Sequence, residues 1–342
     1  MSSQYAEKPI FLKAITDKGI EIATGKGHAT PRRPRALEHQ QGLVLHALDI
    51  LRVRGPQQPE HFRVVRKADG DYYHGSGSGS EGRITADKVL ICTGASPRQL
   101  PFAKSDGKTI FTSYELLTID HCPKSMIAIG SGAIGMEFAY FMNAFGCEVT
   151  VVEMLDRIVP VEDKDVSAFL HKSLTKQGIT IMTGAGVEDI KADGKGVKAK
   201  IKDKDGKVSE QDFSHCIVAI GIVPNTEDIG LEKLVELDKG FIQIDPYGRT
   251  KSKGLWAIGD CTPGPWLAHK ASHEGVTAAE AIAQELGNKD VHPHPLNRNN
   301  IPGCTYCHPQ IASVGLTEEK AKEAGYDVKA GTFPFIGNGK AI

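Results

Sequence analysis

The feature that most constrains this chain is Gly130-Ser131-Gly132-Ala133-Ile134-Gly135, which follows directly on the apolar run Met126-Ile127-Ala128-Ile129. After it, Ile134, Phe138, Phe141 and Phe145 recur at i, i+4, i+7 and i+11, which predicts a helix with that stripe turned inward. Gly146 ends the helix, Glu148 to Val152 read as a second strand, and Glu153 stands at its end. A strand–turn–helix that holds a pyrophosphate needs glycine at three points. Gly130 permits the tight turn, Gly132 lets backbone approach the phosphates, and Gly135 allows the helix to lie close on the strand. The helix start then offers unpaired N–H groups and a positive dipole to the anion. Alone, the hexapeptide also fits an ordinary glycine turn without a ligand. Strand, helix, second strand and acid in register make the dinucleotide reading the better one. Glu153 is placed to accept hydrogen bonds from both hydroxyls of an adenosine ribose, and its charge repels a 2′-phosphate. NAD is therefore expected over NADP.

The surrounding chain alternates in the same way. Apolar runs ending in glycine predict strands over 87–92, 125–130, 147–153, 178–182, 215–220 and 254–258. Helices are expected over 133–145, 163–177 and 267–286, giving an α/β fold of doubly wound, Rossmann-like dinucleotide-binding domains. Alternating Val and Lys around Asp203-Lys204-Asp205-Gly206 predicts an antiparallel excursion over 186–214. After residue 300 the pattern changes to Pro-bounded strands and a helix over 317–324, as a further α+β layer requires. Residues 1–80 are the least legible. Gly19 to Ala23 fits a strand, but Pro31 to Pro34 and Pro56 to Pro59 break any longer pattern, and His74 to Ser80 is low-complexity.

Three strand ends carry further glycine signals. Asp87 to Cys92 runs into Thr93-Gly94, Cys216 to Ile220 runs into Gly221, and Gly254 to Ile258 delivers Gly259-Asp260. Ligands of open α/β sheets bind at such carboxyl edges. Asp260 suits a ribitol hydroxyl, and a helix starting near Ala268 offers N–H groups to a flavin carbonyl; as a bland alternative, Asp260 caps the approach to that helix. This second helix is expected to present Val276, Ala279, Ala283 and Leu286 on one apolar face.

Composition excludes other classes. With 41 basic and 42 acidic residues the net charge is −1, which disfavours nucleic-acid and membrane-surface binding. No apolar run approaches the roughly 20 residues of a membrane span, and no secretory signal is visible, so a cytoplasmic protein is expected. Seven cysteines, mostly in apolar contexts, do not read as a disulfide framework. Cys304-Thr305-Tyr306-Cys307-His308 matches a haem-attachment pattern, and with His292 or His294 it offers zinc ligands, but the segment also reads as a plain strand. No metal site is expected.

In their order, Cys92-Thr93-Gly94, Gly130 to Gly135 with Glu137, Ala219 to Asn225 and Gly254 to Asp260 resemble the flavoprotein pyridine-nucleotide disulfide oxidoreductases. Pro302 to Glu318 and Pro334 to Ala341 are similar to the start of the interface domain in the dihydrolipoamide dehydrogenase branch. The resemblance implies a partial FAD-binding domain over 1–115 (1–80 unclear), an NAD-binding domain over 116–245, a returning FAD-domain segment over 246–298 and a truncated interface domain over 299–342. It implies oxidation of dihydrolipoyl groups on the lipoyl domains of 2-oxoacid dehydrogenase complexes, with electrons passing through a disulfide and FAD to NAD⁺. Gly130, Ser131, Gly132, Ala133, Ile134, Gly135, Glu153, Val187, Ala219, Ile220, Gly221 and Ile222 would then contact NAD. Thr93, Gly94, Asp260 and Ala268 would contact FAD, and Glu137 would stand near the nicotinamide, paired with a lysine of the flavin domain. Relatives of this kind are homodimers.

The chain departs from that pattern in three places, the first being that the glycine-rich FAD-binding βαβ unit with which the family begins does not occur here. The family's redox pair is spaced Cys-x₄-Cys, whereas the cysteine gaps here are 30, 25, 69, 45, 43 and 3. The family's base pairs a His with a Glu five residues on, whereas His308 is followed at that offset by Ser313, and His292 and His294 by Asn297 and Asn299. The chain thus resembles an internal segment with no catalytic residue of its own. Two other readings stay open: another reductase of mercuric or glutathione type, which Glu153 disfavours where NADP is used, and a non-catalytic NAD-binding module.

Overall fold

The computed structural model describes residues 10–16, 19–24, 81–84 and 87–339. Pro31 to Pro34, Pro56 to Pro59 and His74 to Ser80 lie outside the described residues. The chain forms two compact units, one of residues 1–96 with 222–298, the other of residues 97–221 with 299–342.

The second unit holds a five-stranded, wholly parallel sheet in the order Ile110–Phe111, His215–Val218, Ser125–Ile129, Glu148–Glu153, Thr180–Thr183. From the central strand Ser125–Ile129 the chain moves outward through Glu148–Glu153 to Thr180–Thr183. It then returns to the opposite side as His215–Val218. That reversal makes the carboxyl end of Ser125–Ile129 a topological switch point, where open α/β sheets bind ligands. The central strands read as continuous apolar runs because both faces of the sheet are covered, one by helices and the other by the antiparallel excursion, and Met126, Ile127, Ala128, Val151, Cys216 and Ile217 are all fully buried. The excursion forms a separate antiparallel sheet of Gly186–Ala192, Val197–Lys202 and Val208–Phe213. Its burial alternates along Val197–Lys202, with Val, Ala and Ile inward and Lys outward.

The helix Ala133–Ala144 corrects an expectation. Its buried face is Gly135, Met136, Ala139 and Met142, whereas Ile134, Phe141 and Phe145 are exposed and only Phe138 is partly covered. The reason lies in the glycine loop. A Cβ on Gly135 would stand 2.1 Å from the Gly130 carbonyl oxygen, so this face is pressed against the strand end and admits small or flexible side chains. The phenyl rings are left outside, where Phe141 and Phe145 meet each other at 4.9 Å between centroids.

Residues after 300 pack onto the same unit. Gly303–Thr305 and Ile311–Ser313 pair as a short antiparallel ribbon, and Cys307 and Ile311 enter the core that Met136, Ala139 and Met142 help to form. Asp163 joins the two parts: one oxygen caps the helix Lys164–Lys176 through the Asp165 N–H, and the other accepts from the Glu318 N–H at the start of Glu318–Glu323. Arg157 adds a two-pronged pair to Glu319 at 3.0 and 2.7 Å.

In the first unit, Val89–Ile91 and Leu255–Ala257 pair in parallel, and Ile10–Thr16, Gly19–Thr24 and Glu81–Ile84 form an antiparallel sheet. The helix Ala268–Glu285 buries Gly275, Ala278, Ala281 and Ile282 and leaves Val276 and Leu286 outside, again the small face rather than the expected one. At Gly275 a Cβ would make only an ordinary contact with Ile258, at 3.5 Å. The two units divide the chain at 96/97 and 221/222. Ile110–Phe111 is an edge strand of the five-stranded sheet, and Ile222–Pro224 pairs with Ala95–Pro97.

Among the described residues no helix is long and apolar enough to cross a membrane, and no group of three or more His, Cys, Asp or Glu side chains is placed to hold a metal.

Candidate dinucleotide site

The parallel register ends three strands at one edge, pairing Ile129 with both Val152 and Val218. Gly130, Glu153 and Ala219 are therefore brought together although the sequence separates them widely. Gly130 has φ +98°, and a Cβ on it would stand 2.5 Å from the Ala219 carbonyl oxygen, so only glycine makes this turn against the Ala219–Ile220 backbone. A Cβ on Gly132, by contrast, would meet nothing within 4 Å. That space borders the start of Ala133–Ala144, whose N-cap Gly132 supplies no side-chain acceptor to the first-turn N–H groups of Ala133, Ile134 and Gly135. An open cradle with unclaimed donors fits a pyrophosphate.

Glu153 is buried, and three donors hold its carboxylate. Oε2 accepts from the Ser131 N–H at 2.9 Å and the Ser131 hydroxyl at 2.7 Å, and Oε1 accepts from the Leu155 N–H at 2.9 Å. Oε1 retains lone-pair capacity for a ligand hydroxyl. Ser131, expected at the ligand, is fully buried with its side chain turned to Glu153. Val159, which sequence reasoning missed, adopts φ +38° and donates its N–H to the Ser131 carbonyl at 2.9 Å. No sequence signal marks a β-branched residue for that conformation. Val187, Ile220 and Ile222 are half-buried, and Gly221 is exposed at φ +100°.

Glu137 takes a partner that sequence reasoning did not foresee. Its Oε1 accepts the Tyr306 N–H at 2.8 Å, which ties the glycine-loop helix to the segment after residue 300. In that segment Cys304 is exposed on a strand, and Cys307 is buried, its thiol pushed up to about 11 by burial and by Glu137. A reactive pair would need a thiolate at a helix start. The strand reading of this motif holds.

The first unit repeats the principle at a second edge. Ile91 pairs with Ala257, so Thr93-Gly94 and Gly259-Asp260 emerge side by side, with Gly94 at φ +71° and Gly259 at φ +78°. Asn225 braces this edge, donating its side-chain N–H to the Thr93 carbonyl at 3.0 Å and its backbone N–H to that of Gly94 at 2.9 Å. Asp260 is half-buried, and burial raises its pKa against the opposing pull of Lys270. The helix beginning at Ala268 has no side-chain cap. A carboxylate and a bare helix start at one sheet edge fit a ligand with hydroxyl groups and a carbonyl or phosphate, as FAD has.

Beneath that edge lies a buried pair absent from the sequence reading. Lys270 Nζ donates to the Gly259 carbonyl at 3.0 Å and to the Thr262 hydroxyl at 2.9 Å, and sits 3.1 Å from Glu274 Oε2. Glu274 Oε2 in turn accepts the Gly259 N–H at 2.7 Å. The available signal was a Lys and a Glu spaced i, i+4 beside the small residues of this helix.

Two glycine-bearing carboxyl edges, one at the switch point of a parallel sheet, define a Rossmann-like dinucleotide-binding architecture. The chain belongs to the pyridine nucleotide-disulphide oxidoreductase family, whose sequence profile matches residues 57–275, while the profile of that family's dimerisation domain matches residues 301–342. It is 54% identical over 265 residues to a dihydrolipoyl dehydrogenase of Zymomonas mobilis, covering 77% of this chain and 56% of that one. A dihydrolipoyl dehydrogenase of Rhizobium etli is 48% identical over 263 residues, covering 77% and 54%. The chain thus spans about half the length of these curated relatives. Among solved structures, LpdA from Mycobacterium tuberculosis aligns with TM-score 0.68 and 33% identity, covering 79% of this chain and 57% of that one. The HOCl-induced flavoprotein disulfide reductase RclA from Escherichia coli aligns with TM-score 0.65 and 26% identity, covering 77% and 58%.

Proposed function

We propose that this chain is the dinucleotide-binding part of a dihydrolipoyl dehydrogenase, an enzyme that oxidises dihydrolipoyl groups of 2-oxoacid dehydrogenase complexes and reduces NAD⁺. The observation that carries this reading is the Ser131–Glu153 edge beside an open Gly132 cradle. In it the first-turn N–H groups of Ala133 to Gly135 bind the pyrophosphate, and Glu153 Oε1 accepts from the adenosine ribose. The Ala219 to Ile222 turn and Val187 line the nicotinamide side. On the other unit, Asp260 accepts from the ribitol of FAD, while Thr93, Gly94 and the Ala268 helix start flank the flavin. Bound FAD supplies two-electron chemistry between a dithiol and NAD⁺. We assign the dithiol and its base to sequence outside these 342 residues, because the residues here carry neither the Cys-x₄-Cys spacing nor the His–Glu pair.

The names of the curated relatives favour the lipoyl substrate over a mercuric or glutathione-type reductase. The dimerisation-domain match supports a homodimer in the whole protein, and the free cysteines among the described residues suit a reducing, cytoplasmic setting.

Two measurements test the proposal. NADH titrated into this chain should give saturable nicotinamide fluorescence enhancement, with NADPH binding at least tenfold more weakly; equal affinities would refute the assignment of Glu153. The whole protein, given dihydrolipoamide and NAD⁺, should form NADH. NADH binding without that turnover would favour the non-catalytic module instead.

A further inference from the structure

Glu153 alone does not explain a firm choice of dinucleotide, since a glutamate side chain with free torsions swings aside to admit a 2′-phosphate. The surroundings of its carboxylate remove that freedom. Ser131 gives Oε2 two bonds, from its N–H at 2.9 Å and from its hydroxyl at 2.7 Å. Ser131 is itself immobile: it has no exposed surface, its carbonyl accepts the Val159 N–H at 2.9 Å, and Gly130 before it donates to the Val152 carbonyl at 2.9 Å. The Glu153 main chain is fixed as well, its carbonyl accepting the Ala185 N–H at 2.9 Å. Of the three donors on the carboxylate, only the Ser131 hydroxyl comes from a side chain. The other two are set by the backbone and persist under substitution.

We propose that Ser131 is a specificity-determining positioning residue, whose hydroxyl locks the Glu153 carboxylate at the glycine loop and so enforces NAD over NADP. The inference rests on the reading of this edge as the NAD site. In it Ser131 never touches the ligand. Oε2 is saturated by its donors, which leaves Oε1 as the oxygen that meets the ribose and fixes which way it points. Without the hydroxyl the carboxylate keeps one backbone bond on each oxygen and is held less firmly, so a 2′-phosphate meets a less rigidly placed negative charge.

The test is a binding comparison on the purified chain, with NADH and NADPH titrated separately and read by nicotinamide fluorescence. Ser131→Ala should lower the NADH-to-NADPH affinity ratio about tenfold or more, in line with loss of a hydrogen bond to a charged group. A purely structural role would weaken both ligands alike and leave the ratio unmoved. Glu153→Ala should lower the ratio further, and adding Ser131→Ala to it should change nothing more. If Ser131→Ala does not fold, Ser131→Cys, which keeps the shape with a weaker donor, should move the ratio in the same direction by less. An unchanged ratio in a wild-type-like NADH binder overturns this inference alone. An equal effect of Ser131→Ala in the Glu153→Ala background also overturns it. Failure of the unaltered chain to bind NADH overturns the NAD reading and this inference together.

Discussion

Lys270 and Glu274 stand one turn apart on the helix Ala268–Glu285, their charged atoms 3.1 Å apart and both side chains withdrawn from solvent. Between them they hold both polar groups of the Gly259 peptide, the carbonyl by Lys270 and the N–H by Glu274. Burial lowers the pKa of Lys270, and Glu274 opposes that shift. The second oxygen of Glu274 lies 3.8 Å from Arg298. A pair of this kind fixes the turn that carries Asp260 more than it adds net stability.

Removing one partner of this pair should therefore cost far more than removing both. Lys270→Met leaves the buried Glu274 carboxylate with Arg298, 3.8 Å away, as its remaining positive partner and should destabilise the chain by about 3 kcal/mol. Lys270→Met combined with Glu274→Leu should recover a large part of that loss. Urea unfolding of the two variants decides the matter, and equal losses would show that the pair is not coupled.

The glycine loop makes a sharper contrast, because two of its glycines are needed for different reasons. Gly135→Ala places a Cβ 2.1 Å from the Gly130 carbonyl oxygen, so the loop must open and stability should fall by about 2 kcal/mol or more. Gly132→Ala adds a Cβ that meets no protein atom within 4 Å, and the φ of −65° there is open to any residue. It should leave the melting temperature within a few degrees of the unaltered chain while weakening NADH binding at least tenfold. Thermal melts beside fluorescence titrations separate the two effects.

The rotation of the helix Ala133–Ala144 is equally open to test. Phe145 is two-thirds exposed, so Phe145→Glu should cost no more than about 1.5 kcal/mol, most of it the ring contact with Phe141. Met142, buried in the core, should cost about 2–5 kcal/mol on change to alanine. Denaturant midpoints in the opposite order would mean that the phenyl stripe faces the sheet.

Asp106 gives the chain an acid-sensitive point. Burial pushes its pKa up, but the N–H groups of Ile110, Thr109 and Lys108 and the Thr109 hydroxyl outweigh that and bring it down to about 2. The folded value lies below the unfolded one, so the stabilisation is complete above pH ~4 and is lost as the pH falls through about 2. Allowing for solvent exposure, it amounts to about 1 kcal/mol. Asp106→Asn should flatten this part of the stability–pH curve between pH 5 and 2 by about that amount, read from urea midpoints at each pH.

Much of the architecture was legible in the residues, because strand and helix periods and glycine punctuation are local properties. The strands around the loop fall within two residues of their expected bounds, and the Asp203 to Gly206 turn closes the hairpin expected there. The helix faces were misread for a reason that is also physical. In Ala133–Ala144 both the Phe stripe and the Gly135–Met142 stripe are apolar, and periodicity ranks them by hydrophobicity, whereas packing ranks them by how closely each lets the helix approach the sheet. The role already given to Gly135 pointed inward.

By itself, then, the sequence determined that this chain builds dinucleotide-type strand–turn–helix units, with glycine at Gly130 and Gly135 and an acid at Glu153, because backbone freedom and charge are carried by the residues themselves. Tertiary structure alone decided what those residues touch. Parallel register brought Ala219 against Gly130, closed Ser131 onto Glu153, turned Val159 toward the loop and set Lys270 and Glu274 under Gly259. Such contacts join positions distant in the chain or pick one face of a helix over another, and neither choice exists until the strands have paired.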